Sequence, residues 1–210
     1  MIITAIEPIA GPGERVRIEL GPGRTEEVSG EIVFAAGLRV GDDLPDDALR
    51  RVLREDLDWR AREAALRLLS YRPRSEAELR LRLLRQQFPA EVADACLQGL
   101  RAKGLLDDAS FAESFARDRI RLNPRGRRRV VQELRGRGVD ASTAASVVDD
   151  VLREEDVGEL DLARQAARRW RARAGEEPDR ARRRLTGFLA RRGFGGETVR
   201  RVVEELCPHG

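Results

Sequence analysis

Apolar and charged residues alternate in short runs over the first part of the chain. Residues 15–20 read Arg-Val-Arg-Ile-Glu-Leu, and this period of two places every second side chain on one face of a half-buried strand. Residues 2–6 and 26–34 are also rich in Ile and Val, and Gly-Pro-Gly segments at 11–13 and 21–23 separate the runs as turns. The pattern therefore predicts three short strands.

Beyond residue 42 the apolar positions recur with the period of a helix. Asp43-Leu44-Pro45 is typical of a helix entrance, because proline fits the first turn of a helix. From there to the end Leu, Ala, Arg and Glu dominate, while Gly and Pro stand at the ends of segments. We expect almost all of this part to be helical.

The helical part repeats itself at a period near fifty residues. Pro73, Pro124 and Pro178 lie 51 and 54 residues apart. A bulky apolar residue follows each proline after ten positions, and another follows after fifteen or sixteen. The first set is Leu83, Leu134 and Phe188, and the second is Phe88, Val139 and Phe194. Each unit is predicted to run helix, proline-bearing turn, helix, break, helix.

Residues typical of helix ends support this division. Ser75 and Glu78 have the spacing of a capping box, in which each end of the motif satisfies a backbone N–H of the first turn. Asp107 or Asp108, and Asp140, are predicted N-caps. The predicted helix stops are Gly104, Gly138 and Gly193.

These patterns predict a mainly α protein, an elongated tandem array of three three-helix repeats preceded by a small β-rich N-terminal module. Stacked repeats extend a core that one unit could not complete alone. A single compact bundle is the alternative, and the 37% of charged residues argues against it. The predicted parts are 1–42 (β-rich module), 43–58 (linking helix), 59–106, 107–154 and 155–210 (repeats one to three).

Charge is strongly segregated, although the formal net charge is only +3. Residues 115–137 carry nine Arg against two acids, and residues 164–201 carry thirteen Arg against four. Lys103 is the one lysine among 40 basic residues, a bias that genomic base composition also explains. Arginine stays charged and binds phosphate or carboxylate through two N–H groups, so a basic face of this kind suits nucleic acid or an acidic protein groove.

The residues of common catalytic centres are missing or poorly placed. His209 is the single histidine and stands one residue from the end, and Cys96 shares a helical stripe with apolar neighbours, as a core thiol does. Two cysteines and one histidine do not make a zinc site of usual spacing. Neighbouring acids point apart on a helix, and neither Gly-Pro-Gly segment is followed by the Lys-Ser/Thr of a phosphate loop. We expect no enzyme, no cofactor and no metal centre.

Localisation signals are equally sparse. The chain contains no apolar run near the roughly 18 residues that span a membrane, and Met1-Ile2-Ile3-Thr4 has no basic leader. Two cysteines are too few for a disulfide framework, which favours a reducing compartment. These features predict a cytoplasmic protein with no membrane partner.

Helical spacing places arginines on stripes beside the apolar positions. The candidate partner- or DNA-binding residues are Arg125, Arg127, Arg128, Arg129, Arg168, Arg169, Arg182, Arg183 and Arg184. Few aromatic residues are interleaved with them, so a base-stacking platform for single strands is not indicated. No helix carries the Asn, Gln and Arg pattern of a sequence reader, which favours contact with a backbone or a groove.

Three stretches occur in a fixed order along the chain. They are Arg72-Pro73-Arg74-Ser75-Glu76-Ala77-Glu78-Leu79; Gly104-Leu105-Leu106-Asp107-Asp108-Ala109-Ser110-Phe111-Ala112; and Arg119 to Arg121 followed by Gly126, Arg129, Glu133-Leu134 and Gly138-Val139. In this order and spacing they resemble the RecX family, regulators of the bacterial recombinase RecA. The resemblance is strongest over residues 60–155 and weaker over the third unit, where Gly175-Glu176-Glu177-Pro178 replaces a tighter turn.

The resemblance implies three tandem three-helix repeats without a catalytic residue. It implies a protein that binds the RecA–DNA filament in its groove, blocks extension or promotes disassembly, and so restrains strand exchange, ATP hydrolysis and coprotease function. The expected partners are the RecA nucleoprotein filament and single- or double-stranded DNA, bound by a monomer. The alternative is a stand-alone DNA-binding protein or repressor.

Overall fold

The computed structural model describes residues 1–10, 14–21 and 23–207. The predicted turns at Gly11-Pro12-Gly13 and Pro22, and His209, lie outside the described residues. The strands are β1 (Ile3–Pro8), β2 (Arg15–Leu20) and β3 (Thr25–Ser29). The helices are α1 (Gly30–Ala35), α2 (Asp46–Tyr71), α3 (Glu76–Arg85), α4 (Ala90–Ala102), α5 (Asp108–Arg121), α6 (Arg127–Arg135), α7 (Ala141–Glu154), α8 (Glu159–Ala167), α9 (Pro178–Arg191) and α10 (Gly196–Leu206). The mainly helical fold class with a β-rich beginning is confirmed.

The chain forms two compact units. The first comprises Met1–Arg72 and Leu79–Lys103, and the second comprises Pro73–Glu78 and the residues from Gly104 onward. The second unit contains α5 to α10, whose apolar faces share one core.

An antiparallel sheet in the order β1-β2-β3 opens the first unit. Ile6 pairs with Ile18, and Val16 pairs with Val28. Ile18 and Val28 are completely buried and Leu20 is 2% exposed, while Arg17, which precedes Ile18, is exposed. The period of two read from residues 15–20 is therefore confirmed.

The prediction of a strand over 26–34 is wrong for its second half. β3 ends at Ser29, and residues 30–35 form α1. Ile32 and Val33 are both buried against the sheet core, which adjacent residues achieve in a helix but not in a strand, where they face opposite sides. An apolar run this short carries no period that separates the two structures.

Helix α2 carries buried side chains in both halves of its length. Its 26 residues span about 39 Å. Leu49 and Val52 in its first half belong to the sheet core, whereas Ala61 and Ala65 are buried in its second half. The predicted linking helix at 43–58 and the first helix of repeat one are thus one continuous helix.

Helix α4 packs against α2 with the predicted apolar stripe. Val92, Ala93, Leu97 and Leu100 are buried. Cys96 is half-buried beside them, and burial raises the pKa of its thiol. The side chain is therefore held in its unreactive protonated form at neutral pH.

The three middle helices, α3, α6 and α9, end in the same turn. The backbone N–H groups of Phe88, Val139 and Phe194 donate to the carbonyls of Leu83, Leu134 and Leu189 at 3.2, 3.2 and 3.4 Å. The repeat read from the sequence is present, with one correction in the third unit. Leu189 is fully buried there, whereas the predicted Phe188 is half-buried. Pro178 itself begins α9, while the other two prolines precede their helices by three residues, and the register shifts accordingly.

Repeats two and three meet backbone to backbone at two glycines. The N–H of Gly126 donates to the carbonyl of Arg192 at 2.9 Å. A Cβ on Gly193 would lie 2.5 Å from the Cβ of Arg129 and 2.8 Å from its backbone nitrogen. Gly193 also has a φ of +82°, in the left-handed region that favours glycine. This contact fixes the start of α6 against the end of α9.

The same joint recurs one repeat earlier within the second unit. Gly138 has a φ of +85°, and a Cβ there would overlap the Cβ of Ala77. The hydroxyl of Ser75 donates to the carbonyl of Arg137 and accepts from the N–H of Glu78. Half of the predicted capping box is thereby confirmed, and it anchors the beginning of α3 to the end of α6.

The predicted aspartate caps are also present. Asp107 accepts the N–H of Ala109 at 2.9 Å, and Asp140 accepts the N–H groups of Ser142 and Thr143, both at 2.9 Å. The Ser142 hydroxyl and these N–H groups favour the carboxylate and lower the pKa of Asp140 to about 2.

We expect Asp140→Ala to destabilise the second unit in a pH-dependent way. The folded-state pKa lies below the ordinary value of 3.8, so the cap stabilises the fold fully above about pH 4 and is lost as the pH falls through 2. Urea unfolding followed by circular dichroism at pH 7, 4 and 2.5 measures the difference. Asp140→Asn keeps an acceptor oxygen at every pH and is the control. A stability difference between wild type and Asp140→Ala that does not shrink on acidification would contradict the assignment.

Candidate functional site

Several of the nine candidate arginines are engaged by acids within the second unit. Arg127 makes two hydrogen bonds to Asp149, at 2.5 and 2.7 Å. Arg129 binds Glu133 at 2.9 Å, and Arg184 forms an ion pair with Glu176. These pairs hold helices and loops together, so the side chains are not freely available cations.

Two further candidates donate to backbone carbonyls. Arg169 reaches the carbonyl of Leu122 at 2.6 Å, and Arg182 reaches that of Cys207. Arg168 and Arg169 follow α8 instead of lying on it, because the helix ends at Ala167. The prediction that Arg168 and Arg169 lie on a helical stripe is therefore wrong.

Three exposed candidates make no ion pair or side-chain hydrogen bond with another described residue: Arg128, Arg168 and Arg183. Arg168 follows the end of α8 and does not line the groove that Arg128 and Arg183 share. They come from α6 and α9, two different repeats, yet both line one groove of about 680 Å³. The structure thus brings together members of two clusters that the sequence presented separately.

We call this feature the arginine-rimmed groove. Its rim carries Arg128, Arg182, Arg183 and Arg200, and its apolar lining includes Phe194, Val199 and Val203. No acid is among its lining residues, although the chain contains 37 acids. The groove is therefore cationic at its edge and apolar within.

Arg200 was missed by the sequence analysis. It lies on α10, directly beside Val199 on the stripe formed by Val199, Val202 and Val203. Its partner Glu204, at 3.2 Å, is on the same helix. The sequence signal is an apolar helical stripe with two adjacent arginines, Arg200 and Arg201, and only the packing of α10 beside α9 shows that Arg200 lines the groove.

This arrangement suits a segment that presents an apolar side chain flanked by carboxylates. The apolar interior of the groove would bury that apolar side chain, and the guanidinium groups would bind the flanking carboxylates through paired N–H donors. Within the described residues, no group of three or more His, Cys, Asp or Glu side chains is placed to hold a metal ion. None of the described helices combines the length and apolar character needed to cross a bilayer.

Comparison with known proteins identifies the family. Three family models match in succession: the first three-helix domain of RecX over residues 61–100, the second over 107–148 and the third over 159–203. Together they cover more than half of the chain. This chain belongs to the RecX family.

Curated RecX proteins match over most of their length. The "Regulatory protein RecX" of Thermobifida fusca is 41% identical over 158 residues, which cover 74% of this chain and 84% of that protein. The "Regulatory protein RecX" of Mycobacterium avium is 39% identical over 146 residues, covering 68% and 82%. The resemblance stated from the sequence motifs is therefore confirmed.

A solved structure agrees with the fold. The crystal structure of a regulatory protein RecX matches with a TM-score of 0.65 and 25% identity, over 99% of this chain and 98% of the other. RecX from Lactobacillus salivarius shares the fold, with a TM-score of 0.54. The N-terminal sheet lies within the part matched by the first of these.

Proposed function

We propose that this RecX protein binds the RecA–DNA filament as a monomer in the bacterial cytoplasm. There it restrains ATP hydrolysis, strand exchange and coprotease function in DNA repair and recombination. The relatives are regulatory proteins by name, which supports a binding role without catalysis. The observation that carries the proposal is the arginine-rimmed groove: no acid is among its lining residues, and Arg128 and Arg183 make no ion pair with another described residue, so both can bind acids of another molecule.

The groove would receive an acidic surface segment of a filament protomer. Exposed arginines raise the rate of encounter with such a surface, and the apolar interior then slows dissociation. Of the nine candidate residues, Arg128, Arg182 and Arg183 act at this groove. Arg127, Arg129 and Arg184 act indirectly, since their ion pairs position α6 and α9.

Charge reversal at the rim tests this proposal. We expect the double substitution Arg128→Glu and Arg183→Glu to lower the association rate with immobilised RecA filaments at least about tenfold at low salt. The difference shrinks at high salt, because ions screen exposed charges. Kinetics of the labelled protein on filaments assembled on single-stranded DNA provide the measurement.

The matched control reverses two exposed arginines elsewhere, Arg51→Glu and Arg153→Glu. Each of these residues pairs with one acid on its own helix, at 2.9 Å, and neither lines the groove. The net charge changes by the same amount in both double variants. Equal loss of association in the two would show that general charge, and not the groove, drives binding.

A further inference from the structure

The turn shared by the middle helices aligns the three repeats residue by residue. Its accepting carbonyls belong to Leu83, Leu134 and Leu189. The third helices α4, α7 and α10 begin at residues 90, 141 and 196, the same seven positions after those carbonyls. A residue in the middle or third helix of repeat one therefore corresponds to the residue 51 positions later in repeat two, and that residue to the one 55 positions later in repeat three.

Repeats one and two each join their middle helix to their third helix through an arginine–aspartate pair. In repeat one Arg80 of α3 donates two hydrogen bonds to Asp94 of α4, at 2.6 and 3.1 Å. In repeat two Arg127 of α6 donates two to Asp149 of α7, at 2.5 and 2.7 Å. The two pairs occupy different positions of the repeat unit, so the closure of this face is common to both repeats although the residues that close it differ.

Repeat three cannot make the first kind of pair. The position of Arg80 is taken by Thr186, and the position of Asp94 is taken by Arg200. Both replacements line the arginine-rimmed groove. The groove therefore lies on the face that an ion pair closes in repeat one.

Both members of the second kind of pair are present in repeat three, as Arg182 and Glu204. They have other partners in the structure. The guanidinium of Arg182 donates to the carbonyl of Cys207. The carboxylate of Glu204 accepts from Arg200 at 3.2 Å, on its own helix. Among the described residues no ion pair joins α9 to α10, and the groove between these helices is open.

We infer that Glu204 is an internal competitor for the arginine-rimmed groove. Its carboxylate exchanges Arg200 for Arg182 and so joins α10 to α9 across the groove. This is the contact that Asp149 makes with Arg127 in repeat two. A partner carboxylate can bind Arg182 only when Glu204 has left it, so the closed arrangement lowers the affinity of the groove. The inference rests on the proposed function for the ligand of the groove and concerns the regulation of that same site.

The exchange is within reach of the two side chains. Asp149 already spans the distance from α7 to α6, and glutamate is one methylene longer than aspartate. The side chains of Arg200 and Glu204 are 64% and 46% exposed, and pairs as exposed as this one are weak. Because both arrangements are exchanges of one weak pair for another, the protein populates both, and a ligand selects the open one.

Unfolding of the protein without RecA tests the contact itself. Arg182→Gln, Glu204→Gln and the double variant are compared with wild type in urea, followed by circular dichroism. We expect the double variant to shift the urea midpoint by less than the sum of the two single shifts, because the two residues share one contact. The same cycle at Arg127 and Asp149, which are bonded in the structure, is the reference. Additive shifts at Arg182 and Glu204 would show that the two do not meet and would overturn the inference.

Binding to RecA filaments on single-stranded DNA tests the regulation. We expect Glu204→Gln to bind about threefold more tightly than wild type, since an exposed competing pair is removed. The gain is expected to vanish in the Arg182→Gln background. Glu197→Gln makes the same charge change at an exposed position in the first turn of α10, outside the groove lining, and is the matched control. An equal gain in Glu197→Gln, or a gain that persists without Arg182, overturns the inference.

The two assays separate this inference from the proposed function. If the wild-type protein does not bind filaments, the proposed function fails. The unfolding cycle contains no RecA, so its result still supports or overturns the contact between Glu204 and Arg182.

Discussion

Replacing Gly193 by alanine is expected to lower the free energy of unfolding of the second unit by about 3 kcal/mol. Two costs add at this position. The backbone φ of +82° is strained for any residue with a Cβ, and the new methyl group would lie 2.5 Å from the Cβ of Arg129. The joint must open to admit it, which separates the start of α6 from the end of α9. Urea unfolding followed by circular dichroism measures the loss.

Gly175→Ala separates the two costs. Gly175 has a φ of +70°, but a Cβ there would meet nothing within 4 Å. We expect this substitution to cost only the conformational strain, about 1 kcal/mol. If both alanine variants lose the same stability, the close approach of the two repeats is not what requires glycine at residue 193.

Asp56→Ala is expected to destabilise the first unit by about 3 kcal/mol. Asp56 lies on α2, is 3% exposed, and accepts both the N–H of Ser29 at 2.7 Å and its hydroxyl at 2.5 Å. Arg15 and Arg60 approach the other carboxylate oxygen at 3.8 and 3.7 Å. Removing the carboxylate leaves buried donors without an acceptor at the end of β3, which joins the sheet to the helix.

Two variants make this result specific. Asp56→Asn keeps an acceptor oxygen for Ser29, so we expect it to retain part of the lost stability. Glu55→Ala changes the neighbouring exposed acid of α2 and is expected to be nearly neutral in thermal and urea unfolding. A loss in Glu55→Ala as large as that in Asp56→Ala would assign the effect to helix α2 itself and not to its bond with the sheet.

Local signals made much of the fold predictable. Aspartate caps, prolines and positive-φ glycines each act within a few residues of their own position. Their spacing along the sequence therefore predicts the three repeats. Gln87 shows the limit of this reasoning. It takes the position of Gly138 and Gly193 in repeat one with a φ of +67°, and it is exposed. Glycine is therefore required in the later repeats by close contact as well as by the turn.

The candidate site was less predictable, because it depends on distant pairing. Nothing near Arg127 in the sequence reveals that Asp149, 22 residues later, binds it. The sequence likewise does not show that Arg128 and Arg183 make no ion pair, because this depends on which acids the neighbouring arginines bind. Helical spacing predicts basic faces, but only tertiary packing separates arginines in structural ion pairs from arginines that line the groove.

ATP turnover by RecA filaments on single-stranded DNA tests the central claim most directly. Added during steady turnover, the wild-type protein is predicted to lower the rate progressively with time and concentration. The variant with Arg128→Glu and Arg183→Glu is predicted to need about ten times more protein for the same effect. An undiminished rate with saturating wild-type protein, or equal potency of the rim variant, would contradict the account.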